Sequence, residues 1–450
     1  MSAILDQLVE LTSALSSFLW GPPVLILLVA TGAYLTFRLG LVQLFGFRQA
    51  VKVLTGRYHQ PKHAGEVSHF QALSTALSAT VGTGNIAGVA TAISLGGPGA
   101  LFWMWITALF GMATKFAECT LALKFREISP DGEISGGPMY TLLHGLKQKR
   151  LAQAFALFAL IASFGIGNMV QANSVVDGVG YLWPEVRENA GWVGLAMALL
   201  VGMVIIGGIK RIASVASFIV PFMAILYLIG GMIVLFTHLD QIPSALYTIV
   251  NYAINPAAVG GAAVGEAIRW GVARGLFSNE AGMGSSPMAH AAAKTNEPVN
   301  EGLVAMLEPF IDTLIICTIT GLVIIVTDSH LHHPPEVMGA SLTAYAFGQV
   351  LGNLGSLLVG VSLSLFAFST IIAWSYYGDR CARFLFGERA VPIYRIVYVI
   401  AVAVGAYIPL ALVWNLADIT NLLMVIPNLI ALVGLTALVV KLKKDYFSRH

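Results

Sequence analysis

The stretch "SATVGTGNIAG", residues 78 to 88, interrupts an apolar run of helical length with Thr83 and Asn85, set among Gly82, Gly84 and Gly88. A pyrophosphate-cradling loop is the first reading to set aside, since glycines followed by a helix start can serve that purpose. The spacing Gly82, Gly84, Gly88 is one residue too long for that fingerprint, and no alternating strand precedes it. The rest of the chain explains the run differently. Its 450 residues are 57% hydrophobic and 11% charged, with mean hydropathy +0.79, against about 25% charged in soluble domains. This is the composition of an all-α polytopic membrane protein embedded in lipid.

A bilayer core takes about 20 apolar residues per helix. Runs of that size fall at 20–38, 71–92, 99–122, 152–180, 192–209, 213–236, 258–292, 302–327, 339–377, 391–413 and 420–440, which predicts eleven transmembrane helices. Lysine and arginine stay on the cytoplasmic side of such spans. Arg38, Arg48, Lys52, Arg57 and Lys62 follow the first run, and the bias recurs at Lys124, Arg126, Lys210, Arg211, Lys294, Arg380, Arg383 and the terminal "KLKKDYFSRH". The opposite loops, "YLWPEVRENAGW", "THLDQIPSALYTIVNYAINP", "TDSHLHHPPEV" and "WNLADITN", hold one arginine and no lysine. The expected orientation is N-terminus outside and C-terminus in the cytoplasm, as in a multi-pass plasma-membrane protein. A net charge of +2 argues against nucleic acid as a partner, and nothing in the sequence calls for an obligate protein partner. Cys119, Cys317 and Cys381 stand at unrelated spacings in or beside the spans, as small buried side chains do.

Lipid offers no hydrogen bonds, so irregular backbone at membrane depth must line a polar cavity or be enclosed by protein. Two stretches qualify, "SATVGTGNIAG" and "FSNEAGMGSSP" at 277–287. With the first span set aside as an accessory helix, each opens a five-span half, and the two enter the membrane from opposite sides. The expected organisation is an accessory helix and basic connector over 1–67, a first repeat over 68–237 and an inverted second repeat over 238–450. Paired interrupted segments at matching positions of two halves point to the binding site of a secondary transporter.

An unwound half-helix exposes amides at one broken end and carbonyls at the other, an anion site beside a cation site. A zwitterion with a sodium ion suits both. The amides of Thr83, Gly84 and Asn85 are expected to receive a carboxylate, with glycine admitting close backbone approach. Phe277, Ser278, Gly282 and Met283 are the candidate substrate-binding residues of the second break. Ser369 and Thr370 offer adjacent hydroxyls suited to completing an oxygen cage around sodium, begun by the carbonyls of Ser78 and Val81. Trp374, one turn beyond Thr370, is placed to cap a small side chain. In "FGIGNMVQANS" Asn168 and Gln171 are three apart and share a face, so one of them can enter the cavity; Gln171 is the candidate.

These residues resemble the alanine or glycine:cation symporter family, which is sodium-coupled and shares the leucine-transporter architecture. The likeness runs over nearly the whole chain. Its most specific stretches are 68–118, "GGPMY" (136–140), "FGIGNMVQANS" (164–174), "RGLFSNEAGMGSSP" (274–287) and "WSYYGD" (374–379). It implies a 5+5 inverted repeat, a sodium ion between the first broken helix and the hydroxyls matched by Ser369 and Thr370, and a small neutral amino acid, alanine or glycine, as substrate. A proton-coupled transporter of the same fold is the main alternative, and it would move coupling to Glu280 or Asp312. A channel would call for repeated charged linings. An intramembrane enzyme would need a nucleophile with its base inside the spans, where the one histidine is His290.

The remaining charges invite simpler readings. Glu280 is expected to pair with Arg269 or Arg274, and Glu308 and Asp312 likewise with arginines. Lys115 and Glu118 read as snorkelling at a helix end. His330, His332 and His333 read as an outer loop with Pro334 and Pro335.

Overall fold

The computed structural model describes residues 2–57, 63–129, 132–180, 182–255, 261–408 and 410–449. Lys62, the start of the 258–292 run, Tyr181 and Pro256 lie outside them. Among the described residues, six helices are long and apolar enough to cross a membrane, Gly99–Lys124, Lys149–Gly180, Gly208–Thr237, Pro298–Val326, Asn353–Phe386 and Leu412–Gly434. Two bent pairs add a span each, Gln7–Leu19 with Pro23–Arg38 at 41° and His69–Thr80 with Gly84–Gly96 at 52°. Ala190–Ile205, Ala390–Gly405 and the interrupted segment Gly261–Asn279 with Pro287–His290 lie at three more of the expected runs. After the accessory pair, five of these helices or helix pairs fall between 69 and 237 and five between 261 and 434.

Three boundaries differ from the sequence reading. The 339–377 run divides at Gly352, φ +58°, into the short helix Ala340–Leu351 and the spanning helix Asn353–Phe386. The expected outer loop "WNLADITN" lies inside the last span, Leu410–Gly434. Two of its polar residues have partners in the bundle, since Asp418 faces Arg274 and Asn415 reaches the accessory helix at Val9 and Thr12. Much of "THLDQIPSALYTIVNYAINP" is the helix Ile242–Ile254.

Local chemistry explains both breaks. The first broken helix begins on a capping box, Ser68 with Gln71, which satisfies two otherwise orphaned amides. It ends at Val81, where ψ turns to 84°, and Asn85 Oδ1 accepts the freed Gly82 amide at 3.0 Å. In the second, Glu280, Gly282 and Gly284 all take positive φ within five residues, a run no helix sustains, and Pro287 opens the inner half. Small residues let these helices approach closely. A Cβ on Gly271 would stand 2.4 Å from the Ala100 carbonyl oxygen of Gly99–Lys124.

The two ends of the bundle differ. At the lysine- and arginine-rich end, the strand pair Glu127–Ile128 and Ile134–Ser135 lies over a backbone seam joining the two broken helices. Glu66 and Val67 donate to the Ala292 carbonyl and Lys294 donates to that of Val67. The Arg126 guanidinium seals the seam on the carbonyls of Ala64, Ala291, Ala293 and Thr295, at 2.7–2.9 Å. The opposite end holds a cavity of about 570 Å³ lined by Thr91, Ser174, Asp177, Arg274, Glu336 and Trp414, among others.

Candidate functional site

Beneath that cavity, Arg274 faces Asp418 at 3.4 Å, and Phe277 stacks on Trp414 with centroids 4.8 Å apart. Below Phe277 the two breaks meet. A Cβ built on Gly84 would lie 3.2 Å from Ser278 Cα and 3.3 Å from Phe277 Cδ1, so bare glycine is what lets the second break touch the first.

Around the first break, the expected residues hold one another. Gln171 Oε1 accepts the Thr83 amide at 3.3 Å, so an amide oxygen stands where a carboxylate oxygen is expected to bind. The Thr83 hydroxyl is buried with no partner. Gly82 faces Thr370, whose Oγ1 would be 2.6 Å from an added Cβ. The Ser369 and Thr370 hydroxyls both converge on the Ser78 carbonyl, at 3.3 and 3.0 Å, while Ser78 Oγ returns a 2.6 Å bond to the Ser369 carbonyl. Ser78, Val81, Ser369 and Thr370 are buried to within about a hundredth of their surface. A hard monovalent cation is suited by such dry, neutral oxygens. The donor set fits.

Gln171 reaches the break because its helix carries a wide π turn at Gly165–Met169. The extra residue separates Gln171 from Asn168, which turns the other way and donates to the Tyr398 carbonyl at 2.8 Å. Asn173 likewise ties to the carbonyls of Gly405 and Ile408. The shared face expected from three-residue spacing fails at this turn, since a π-bulge shifts the register. Trp374 is wholly buried. Its ring packs on Gly167, where a Cβ would come within 2.3 Å, and its Nε1 donates to Glu280 Oε1 at 2.9 Å.

Gly282 stands apart from this group. It faces Leu28 of the accessory helix and Leu429 of the last span, and its carbonyl accepts from Asn428, so the second-break site contracts to Phe277, Ser278 and their neighbours. Met283 is buried beside it, its amide on the Glu280 carbonyl.

The charges correct the simple readings. Glu280 receives Trp374 and Ser285, while Arg274 takes Asp418 and Arg269 takes Glu266. Asp312 is ringed by neutral donors, Asn85 Nδ2 at 2.7 Å, Ser278 Oγ at 2.7 Å and Thr313 Oγ1 at 2.8 Å. Those donors come from three helices. Lys115 does not snorkel: it is fully buried, with Nζ 3.0 Å from Glu308 Oε2. Glu118 is buried on Asn428. Sequence reading missed this inner cluster, and the i,i+3 spacing of Lys115 and Glu118 was the available signal, since charges on a mid-bundle face need partners there.

The model of the sodium:alanine symporter family matches residues 5–450. The chain is 48% identical over 449 residues to the sodium/alanine symporter AgcS of Methanococcus maripaludis, covering 97% of each chain. It is also 48% identical over 447 residues to an uncharacterized transporter of Haemophilus influenzae, covering 98% of this chain and 96% of that one. Among solved structures, MhsT in complex with L-phenylalanine superposes with TM-score 0.57 at 13% identity, over 84% of this chain and 99% of that one, which carries the leucine-transporter fold and nothing further.

Proposed function

Because the chain belongs to the sodium:alanine symporter family, we propose that it imports alanine or glycine together with sodium by alternating access across the plasma membrane, N-terminus outside and C-terminus in the cytoplasm. The observation that carries this reading is the meeting of the two breaks at Gly84 and Ser278, beside hydroxyls converging on a broken-helix carbonyl. The halves 68–237 and 238–450 act as the inverted repeats, with 1–67 as the accessory segment. Sodium binds among Ser78, Val81, Ser369 and Thr370, joining the first broken helix to Asn353–Phe386. The substrate carboxylate takes the amides of Thr83, Gly84 and Asn85 in place of Gln171 Oε1, and the side chain lies between Phe277 above and Trp374 below.

The driving force suffices with one sodium per substrate. About 2.3 kcal/mol per charge at 100 mV and about 1.4 kcal/mol for a tenfold gradient support roughly 500-fold accumulation. Uptake of labelled alanine into proteoliposomes under an imposed sodium or proton gradient tests the reading. Sodium-driven uptake supports it, and uptake that follows protons alone overturns it in favour of coupling through Asp312, whose ring of neutral donors is the observation favouring that second reading.

Two variants probe the pocket. Gly84→Val should weaken alanine binding about tenfold or more, since the methyls overlap Ser278 and Phe277 and overpacking costs about 1–3 kcal/mol. Binding in detergent at unchanged affinity would make this break a packing feature. Phe277→Ala and Trp374→Ala should admit valine or leucine as competitors of labelled alanine while weakening alanine itself, because apolar pockets resolve one methylene by about 1–3 kcal/mol and exclude larger groups by overlap. Continued rejection of valine and leucine, with normal alanine binding, would remove these rings from the pocket.

A further inference from the structure

Below the proposed site, at the basic end, a chain of buried ionisable groups joins the two broken helices. His69, which starts the inner half of the first, bonds through Nδ1 to Glu301 Oε1. His290, which ends the inner half of the second, has Nδ1 2.6 Å from Glu301 Oε2 and Nε2 2.7 Å from Glu308 Oε1. Lys115 closes the chain on Glu308 at 3.0 Å and on Ser286 at 2.5 Å. All of these groups are at most 3% exposed. The backbone seam between 64–67 and 291–295 is contiguous with both histidines.

Counting protons decides the state of His290. A neutral imidazole has one N–H and one lone pair, and carboxylates only accept. With both carboxylates ionised and one on each ring nitrogen, His290 carries both protons. Lys115 and the His290 imidazolium then balance Glu301 and Glu308, and His69 stays neutral, donating from Nδ1. That assignment leaves His69 Nε2 as a lone pair, in keeping with its lack of a partner. The other groups facing His290 are Cys119, whose Sγ lies within 4.8 Å of the His290 and Glu308 ligand atoms, and Arg126, bonded to the carbonyls of Ala291 and Ala293. Glu118 and Glu280 stand near Lys115, Tyr377 near Glu308, and Cys381 touches Met288.

We propose that His290 is a proton-binding site that latches the inner gate: the imidazolium between Glu301 and Glu308 holds the inner halves of the two broken helices together, and loss of one proton to cytoplasmic water releases them. Deprotonated, the ring turns a lone pair on one buried carboxylate, and breaking a buried charge pair by removing one partner is strongly unfavourable. Opening to water relieves it. The proposal rests on the transport reading, since it takes the basic end as the cytoplasmic gate.

Amide hydrogen exchange over residues 64–80, in the full chain in proteoliposomes, reads the latch from about pH 6 to about pH 10. After correction for the intrinsic pH dependence of amide chemistry, protection should fall by up to tenfold per pH unit between the open-state and latched-state titration points of His290, the slope of a single proton, and level off above the latter. In Glu301→Gln the amide nitrogen donates to His290 and the amide oxygen accepts from His69, so protection should stay high and flat. His290→Gln is uncharged and gathers its two N–H groups on one nitrogen, so it does not bridge Glu301 and Glu308 as the two ring nitrogens do, and protection should be low and flat. A flat profile in the unmodified chain, or its slope persisting in Glu301→Gln, overturns the proposal; if His290→Gln fails to accumulate, Glu301→Gln alone decides. Sodium-dependent alanine binding is measured on the same samples. Its absence in the unmodified chain would instead overturn the transport reading.

Discussion

Replacing Ser369 and Thr370 together by alanine is expected to weaken sodium binding by about 100-fold or more and to leave alanine binding without a sodium requirement. Both hydroxyls converge on the Ser78 carbonyl, and an interaction with a charged group is worth about 1.5–3 kcal/mol, so two together exceed that factor. Thr370→Ser keeps the oxygen and should keep the dependence. The measurement is labelled-alanine binding in detergent as sodium is titrated. An unchanged sodium half-saturation would exclude these hydroxyls as ligands and leave them as the tie between two helices.

The second large effect lies at Lys115. Lys115→Met leaves Glu308 buried with only His290, and breaking a buried pair from one side costs about 3–5 kcal/mol. The variant should lose thermal stability in detergent and accumulate poorly. Lys115→Met with Glu308→Gln should recover much of the loss, because the uncompensated charge is gone. A single variant as thermostable as the parent would show that the pair contributes nothing net.

The fold was legible in the sequence where hydropathy and glycine punctuation act over long distances. The eleven runs, the two interruptions and the basic connectors all follow from what lipid forbids. Reading failed where a polar residue had a partner that only the folded chain supplies. Asp418 looked like a loop residue until Arg274 stood beside it, and Lys115 looked like a snorkelling residue until Glu308 did. Sequence reading assigned His69 no role, yet it begins the first broken helix on Glu301. Of the candidate site, the residue types at 78–85 and 369–370 were legible because hydroxyls and glycines have few other uses there. Gln171 was named over Asn168 without a reason that spacing supplies, since the choice depends on a helical register that spacing alone does not reveal.

That register has a consequence for comparing this chain with any other. A regular helix advances about 100° per residue, so the wide turn at Gly165–Met169 works as an index mark: everything after it is rotated by one step relative to everything before it. Straightening the turn without removing a residue would swing Gln171 away from Thr83 and bring a neighbour round in its place, with no change in composition. A relative that lacks the turn would therefore present a different side chain to the first break even where its sequence aligns without a gap further along. Superposition of backbones, counted from the mark, is the way to decide which residue answers to Gln171.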